Sequence, residues 1–215
     1  LGLDSRSSLL EVRWQYMRNP FFRLKGDTLV LIDWANIFHA QRKNGWSIDL
    51  VKLYSFLKNH ELISDIVFFH GTDTHKKSKL FLDMAEAVGF RIITKHVKYV
   101  PLATDHGGKP LKEPVLRRKC DFDVEISKEI LLNLDRYQCF MLFSGDGDYA
   151  PIFDVLKARR KQAILVFPQG SLGREYNEVP ERKKAIFLCF MELLRPYIEA
   201  KNNPKPRERP GRDYF

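Results

Sequence analysis

Long apolar runs are missing from this sequence, and so are paired cysteines. No hydrophobic stretch approaches the roughly 20 residues that a membrane-crossing helix needs, so no membrane association is expected. The three cysteines, Cys120, Cys139 and Cys189, are odd in number and widely spaced. They form no C-x-x-C pair, which argues against a zinc ribbon or a disulfide framework and for reduced, mostly buried thiols. The six histidines show no metal-ligand spacing. Only His39 stands near a candidate site residue; His70, His75 and His96 read as ordinary strand-end or loop residues. The opening Leu1-Gly2-Leu3-Asp4 offers neither a basic start nor an apolar core, so no secretory leader is expected there. Reduced thiols without a leader suit a cytoplasmic protein.

Basic charge is what the chain has in excess. Its formal net charge is +9 and its pI is near 9.4. That balance favours an anionic partner, and nucleic acid is the usual one. With 44% apolar and 13% aromatic residues in 215, the chain can bury a sizeable core, and its length fits one α/β domain with extensions.

Residues 1–26 mix Arg, aromatics and a Pro, and read as an N-terminal extension. From Thr28 the pattern changes. Thr28-Leu29-Val30-Leu31-Ile32 is a short β-rich apolar run, the pattern of a buried parallel strand, and it stops at Asp33. Similar runs occur at 66–69, 90–94, 139–143 and 163–167. Helix-period segments separate them at 49–59, 76–88, about 123–134 and about 149–160, and a further apolar helix is expected over about 181–199. Alternating strands and helices predict an α/β fold with a mainly parallel sheet of about five strands. The exception is 97–118, where three prolines and Gly107-Gly108 suggest a hairpin or arm. The domain is expected to run over 27–199. The tail 200–215, with Lys201, Lys205, Arg207, Arg209 and Arg212 against Glu208 and Asp213, reads as disordered and basic.

The informative residues are those that end the strands, because open parallel sheets bind ligands beyond the carboxyl ends of their strands. The first strand ends in Asp33-Trp34-Ala35-Asn36, and the fourth in Ser144-Gly145-Asp146-Gly147-Asp148. A third acidic group, Asp121-Phe122-Asp123-Val124-Glu125, opens the helix before that fourth strand. Carboxylates crowded together repel unless a cation neutralises them, and hard oxygen ligands suit Mg²⁺ or Mn²⁺. Asp121 and Asp123 sit two apart, so at most one points into such a site, and Asp123 is preferred because Val124, Ile126 and Ile130 mark a buried side. Asp33 also suits a turn, and Asp148 also suits a helix N-cap. Glu125 and Glu129 read as a solvated face, with Glu129 a secondary candidate.

The order Asp33-x-x-Asn36, then Lys119 to Asp123-Val124-x-Ile126, then Ser144-Gly145-Asp146-Gly147-Asp148-Tyr149 resembles the NYN domain, a branch of the PIN-like nucleases close to LabA-type bacterial proteins. The resemblance covers about residues 27–170. It implies a three-layer α/β/α sandwich, Rossmann-like in plan, and a divalent-metal site. It also implies that Asp33, Asp123, Asp146 and Asp148 are metal-site carboxylates and that Asn36 orients a carboxylate, water or phosphate. The activity implied is hydrolysis of RNA, and the RNA is expected to be single-stranded. Trp34 stands where the family often has a small residue, and is expected to narrow the site or offer a base-stacking face. Lys119-Cys120-Asp121-Phe122 also departs from the commoner Lys-Gly-Val. Lys112, Arg117, Arg118 and Lys119 are the expected phosphate contacts.

Look-alikes fit less well. A haloacid-dehalogenase phosphatase needs Asp-x-Asp after its first strand, where this chain has Ala35. A Toprim domain ends its first strand in Glu, and a metal-binding adhesion domain wants Asp-x-Ser-x-Ser. The competing reading from another class is a catalytically weak RNA-binding or scaffold module that kept the fold.

Overall fold

The computed structural model describes residues 22–38, 45–104, 110–178 and 186–201. The lead-in up to residue 21, His39, the Gly107-Gly108 tip and the tail from 202 lie outside the described residues. The main sheet contains β1 (Thr28–Asp33), β2 (Ile63–Thr72), β3 (Arg91–His96), β6 (Cys139–Phe143), β7 (Gln162–Phe167) and β8 (Ile186–Phe190). Its spatial order is β3-β2-β1-β6-β7-β8, and every pairing is parallel. Counted in chain order within the sheet, that is third-second-first-fourth-fifth-sixth, the doubly wound arrangement whose strand order reverses between β1 and β6.

Continuous apolar strands make such a sheet because both faces are covered. All six residues of β1 are buried. Val30 and Ile32 point into one core, with Leu53, Phe56 and Leu57 of α1 (Leu50–Lys58) and Ala85 of α2 (Lys76–Val88). Leu29 and Leu31 point into the other, with Ile126 and Ile130 of α3 (Asp123–Leu132) and Phe153 and Leu156 of α4 (Ala150–Ala158). The period of two along β1 therefore separates two cores, and three layers result. Asp49 starts α1 by accepting from the amides of Val51 and Lys52 at 2.9 and 3.1 Å. Among the described residues no helix is long and apolar enough to cross a membrane.

Three expectations are corrected. The apolar stretch 181–199 is not one helix. Ile186–Phe190 is strand β8, followed by a 3-10 turn at Met191–Leu193 and a single turn of helix at Arg195–Ile198. A short apolar run does not distinguish strand from helix by period alone, and the place beside β7 decides it. The main sheet consequently has six strands rather than about five. Val124 is exposed rather than buried, because Ile126 and Ile130 share one face of α3 and a residue two positions away cannot.

The segment after β3 forms a separate antiparallel ribbon of β4 (Lys98–Thr104) and β5 (Pro110–Lys119). Lys98 faces Lys119, Tyr99 faces Arg118 and Val100 faces Arg117 in its register. The Tyr99 hydroxyl hydrogen-bonds Asp73, just beyond β2, and so ties the ribbon to the sheet edge.

Gly89 ends α2 with φ +118°, a conformation L side chains rarely adopt, and the Phe90 amide reaches back to the Ala85 carbonyl at 3.2 Å. A methyl added at Gly89 would also lie 2.6 Å from the Tyr54 hydroxyl. Gly89→Ala is therefore expected to destabilise the fold by about 1–3 kcal/mol, read as a lowered Tm in thermal unfolding. An unchanged Tm would show that this turn relaxes freely.

Candidate functional site

The β1–β6 register sets the site. Ile32 is opposite Phe143, so Asp33 and Ser144 leave the sheet side by side at its carboxyl edge, where the strand order reverses. Residues 34–38 turn at once into helix, which brings Asn36 back over the strand end. Its amide donates to Asp33 Oδ1 at 3.3 Å, and its side-chain oxygen accepts from the Gly145 amide at 2.9 Å. Asn36 thereby fastens the turn after β1 to the turn after β6.

The Ser144–Asp148 turn is held from below and behind. The Asp146 amide donates to Ser144 Oγ at 3.1 Å, the Tyr176 hydroxyl donates to the Asp146 carbonyl at 2.9 Å, and the Gly173 amide donates to the Gly145 carbonyl at 2.8 Å. The loop after β7 lies so close that a methyl added at Gly145 would sit 2.3 Å from the Ser171 carbonyl oxygen. Backbone contact of that kind explains why the motif carries glycine there. Asp146, not Asp148, does the capping: its Oδ1 accepts from the Asp148 amide at 3.1 Å and starts the 3-10 turn Gly147–Tyr149. Asp148 is left exposed.

Asp33 is 6% exposed. Burial is the main cause that pushes its carboxyl up to about 6 from its ordinary 3.8. The Asn36 amide and the Tyr149 hydroxyl partly counter this, and the charges of Asp146 and Asp123 add to it. Asp123, at the first turn of α3, is raised by partial burial and by the charges of Asp146, Asp148 and Asp121, with Tyr149 opposing. Asp33 is thus within reach of the charges of Asp123 and Asp146, and Asp123 within reach of those of Asp146 and Asp148, although they come from three separate segments. Between two of them stands Tyr149, fully buried, whose hydroxyl donates to Asp33 Oδ2 at 3.0 Å and also interacts with Asp123. Burial and both carboxylates push its phenol far up, which keeps it a neutral donor.

Other candidates are placed elsewhere. Asp121 is exposed and pairs with Lys119 at 3.1 Å. Glu125 is held by Lys95 at 2.8 Å, and Glu129 by Arg91 at 2.5 Å, a cation that Asp65 shares. Trp34 does not offer a stacking face. Its ring is 5% exposed and packs on Phe68 and Phe81 at centroid distances of 5.2 and 5.4 Å, so it belongs to the core. Lys112, Arg117 and Arg118 stand on β5, and their side chains lie outside the described ones. The residue that sequence reasoning missed is Tyr149. The aromatic after Asp148 counted only as part of a motif, although a buried Tyr needs a partner for its polar tip.

Among the described residues no group of three or more His, Cys, Asp or Glu side chains is placed to hold a metal ion. The donor set still suits Mg²⁺ or Mn²⁺. Every donor is a hard oxygen, Asp33 and Asp123 are raised by burial and by neighbouring carboxylates, and Mg²⁺ is commonly held by one or two carboxylates with waters completing the shell.

The chain is similar to the low amplitude and bright protein LabA of Synechococcus elongatus, with 25% identity over 82% of this chain and 90% of that protein. Its fold is similar to the crystal structure of a protein of unknown function from Vibrio parahaemolyticus, at a TM-score of 0.57 and 14% identity, covering 79% of this chain and 95% of the other. The NYN domain matches residues 27–180, so the chain belongs to the NYN-domain family.

Proposed function

We propose that this chain is a divalent-metal-dependent ribonuclease that hydrolyses RNA phosphodiester bonds at Asp33, Asp123, Asp146 and Asp148. The observation that carries the proposal is that Asp33 and the Ser144–Asp148 turn leave the sheet side by side at the reversal of strand order, with Asp33 raised to about 6 by burial first and by the charges of Asp146 and Asp123. NYN domains are typically nucleases, and PIN-like nucleases generally use divalent metals. A formal net charge of +9 on the chain supports a polyanionic substrate. Mg²⁺ or Mn²⁺ bound there supplies an activated water and neutralises charge on the phosphodiester. The chain's own residues hold the geometry. Asn36 locks the two strand-end turns together, Asp146 fixes the 3-10 turn, and the ribbon's Lys112, Arg117, Arg118 and Lys119 take RNA phosphates.

One observation favours a second reading, an RNA-binding module without cleavage: the described side chains do not close into a three-ligand group. Labelled single-stranded RNA separates the two. Metal-dependent loss of full-length RNA supports the nuclease, and simple retention supports the binder. Asp146→Asn is expected to lower cleavage at least a hundredfold with little change in Tm, and EDTA is expected to stop cleavage until Mn²⁺ is restored. Full activity in that variant would remove the assignment.

Burial of Asp33 also fixes a pH dependence. Below about pH 4 the folded and unfolded chains both hold its proton, and it carries no penalty. Between 3.8 and about 6 the folded chain binds more protons, so this group's contribution to stability falls as pH rises. Above that window the full penalty, on the order of 2–3 kcal/mol, applies. Asp33→Asn, melted in EDTA, is expected to exceed the wild-type Tm by roughly 5–10 °C at pH 8, and by much less at pH 4.5. A difference that does not change with pH would contradict a burial-strained carboxylate.

For the ribbon, Arg117→Ala with Arg118→Ala is expected to weaken RNA binding across sequences. The slope of log K against log salt is expected to fall by roughly 0.7–0.9 for each phosphate no longer neutralised. Coincident slopes in Ca²⁺ would place the strand elsewhere.

A further inference from the structure

The Tyr149 hydroxyl stands where the cation of the proposed site has to act. Asp33 has its Oδ1 engaged by the Asn36 amide and its Oδ2 by the Tyr149 hydroxyl. The same hydroxyl interacts with Asp123, the carboxylate brought in by α3. It therefore meets the two carboxylates that come from different layers of the fold. A hydroxyl has one proton, so it can donate fully to only one of the two carboxylates at a time. It relieves part of the mutual repulsion and leaves the rest.

The ring that carries this hydroxyl is not free to leave. Tyr149 is fully buried in the core cluster with Phe122, Ile126 and Phe153, and α4 begins at the next residue. Asp33 is buried on a strand and is equally fixed. Asp123 is the partner that can turn, since it is half-buried at the first turn of its helix.

We infer that the Tyr149 hydroxyl is a built-in competitor of the divalent cation, bridging Asp33 and Asp123 in the cation-free protein and giving up that bridge when the ion binds. The inference rests on the metal-dependent reading of the site and adds its regulation: the hydroxyl lowers cation affinity and keeps the empty site from splaying.

The test compares wild type with Tyr149→Phe, which keeps the ring and removes the hydroxyl. Calorimetric titration with Mn²⁺ in the absence of RNA is expected to show about five- to tenfold tighter binding by the variant, the weight of one net hydrogen bond. The rise of Tm from EDTA to saturating Mn²⁺ is expected to be larger in the variant as well. Equal or weaker Mn²⁺ binding by a folded variant overturns the competition and leaves the metal reading standing. No Mn²⁺ binding by wild type or variant overturns both. Should Tyr149→Phe fail to fold, the wild type alone decides. Mn²⁺ saturation is expected to perturb its tyrosine near-ultraviolet spectrum as Asp123 turns away from the Tyr149 hydroxyl, and a flat difference spectrum overturns the inference.

Discussion

Parallel pairing of β1 with β6 puts two strand ends about 4.8 Å apart with no crossover helix between them, and that gap is what the site is made of. Asp33 leaves one strand as Ser144 leaves the other, and Asn36 closes the distance with a single side-chain bond to Gly145. Helix α3 then delivers Asp123 from the opposite layer. None of these carboxylates is a sequence neighbour of all the others, so their mutual field is a product of topology. Shifting β6 by one residue against β1 would turn its core residues to the wrong face and move the acidic turn with them.

The charge arrangement of the rest of the surface follows from that crowding. Several carboxylates outside the site are held by cations: Glu125 by Lys95, Glu129 and Asp65 by Arg91, Asp121 by Lys119. Such partly exposed pairs contribute little to stability. Their effect is to leave Asp33 and Asp123 as carboxyls raised by burial and neighbouring charge, with a phenol as donor. In the proposed function, the excess positive charge of the chain draws the polyanion in, while this negative pocket recruits its counter-charge.

Strands that end in Asp are legible because a buried parallel strand is a short apolar run and a carboxylate cannot continue it. Asp33 and Asp146 follow from that rule, and the glycines beside Asp146 announce a tight turn. Residues 181–199 mislead because Ile186 to Phe190 satisfies either period, and only β7 beside it settles the matter. Trp34 misleads for a related reason. A large aromatic after a catalytic-looking Asp invites a binding role, yet the space it fills is bounded by Phe68 and Phe81, residues over thirty positions away. Tyr149 is invisible as a partner of Asp33 because 116 positions separate them. Local sequence states which groups are polar, and topology states whom they meet.

The register of β1 with β6 also governs when the site comes into being. On its β6 side Thr28 finds its partner at Cys139, so closing that pair needs a loop of more than a hundred residues. Contacts of such separation form late, after the β1–β2 and helix contacts that lie nearer in sequence. A chain emerging from the ribosome therefore carries Asp33 on a strand whose inner edge is unpaired, with nothing yet to meet it. The acidic pocket is assembled only after Asp148 has been made and β6 has docked. For a chain proposed to cut RNA, the carboxylates that would act on it are therefore brought together only once synthesis has passed Asp148.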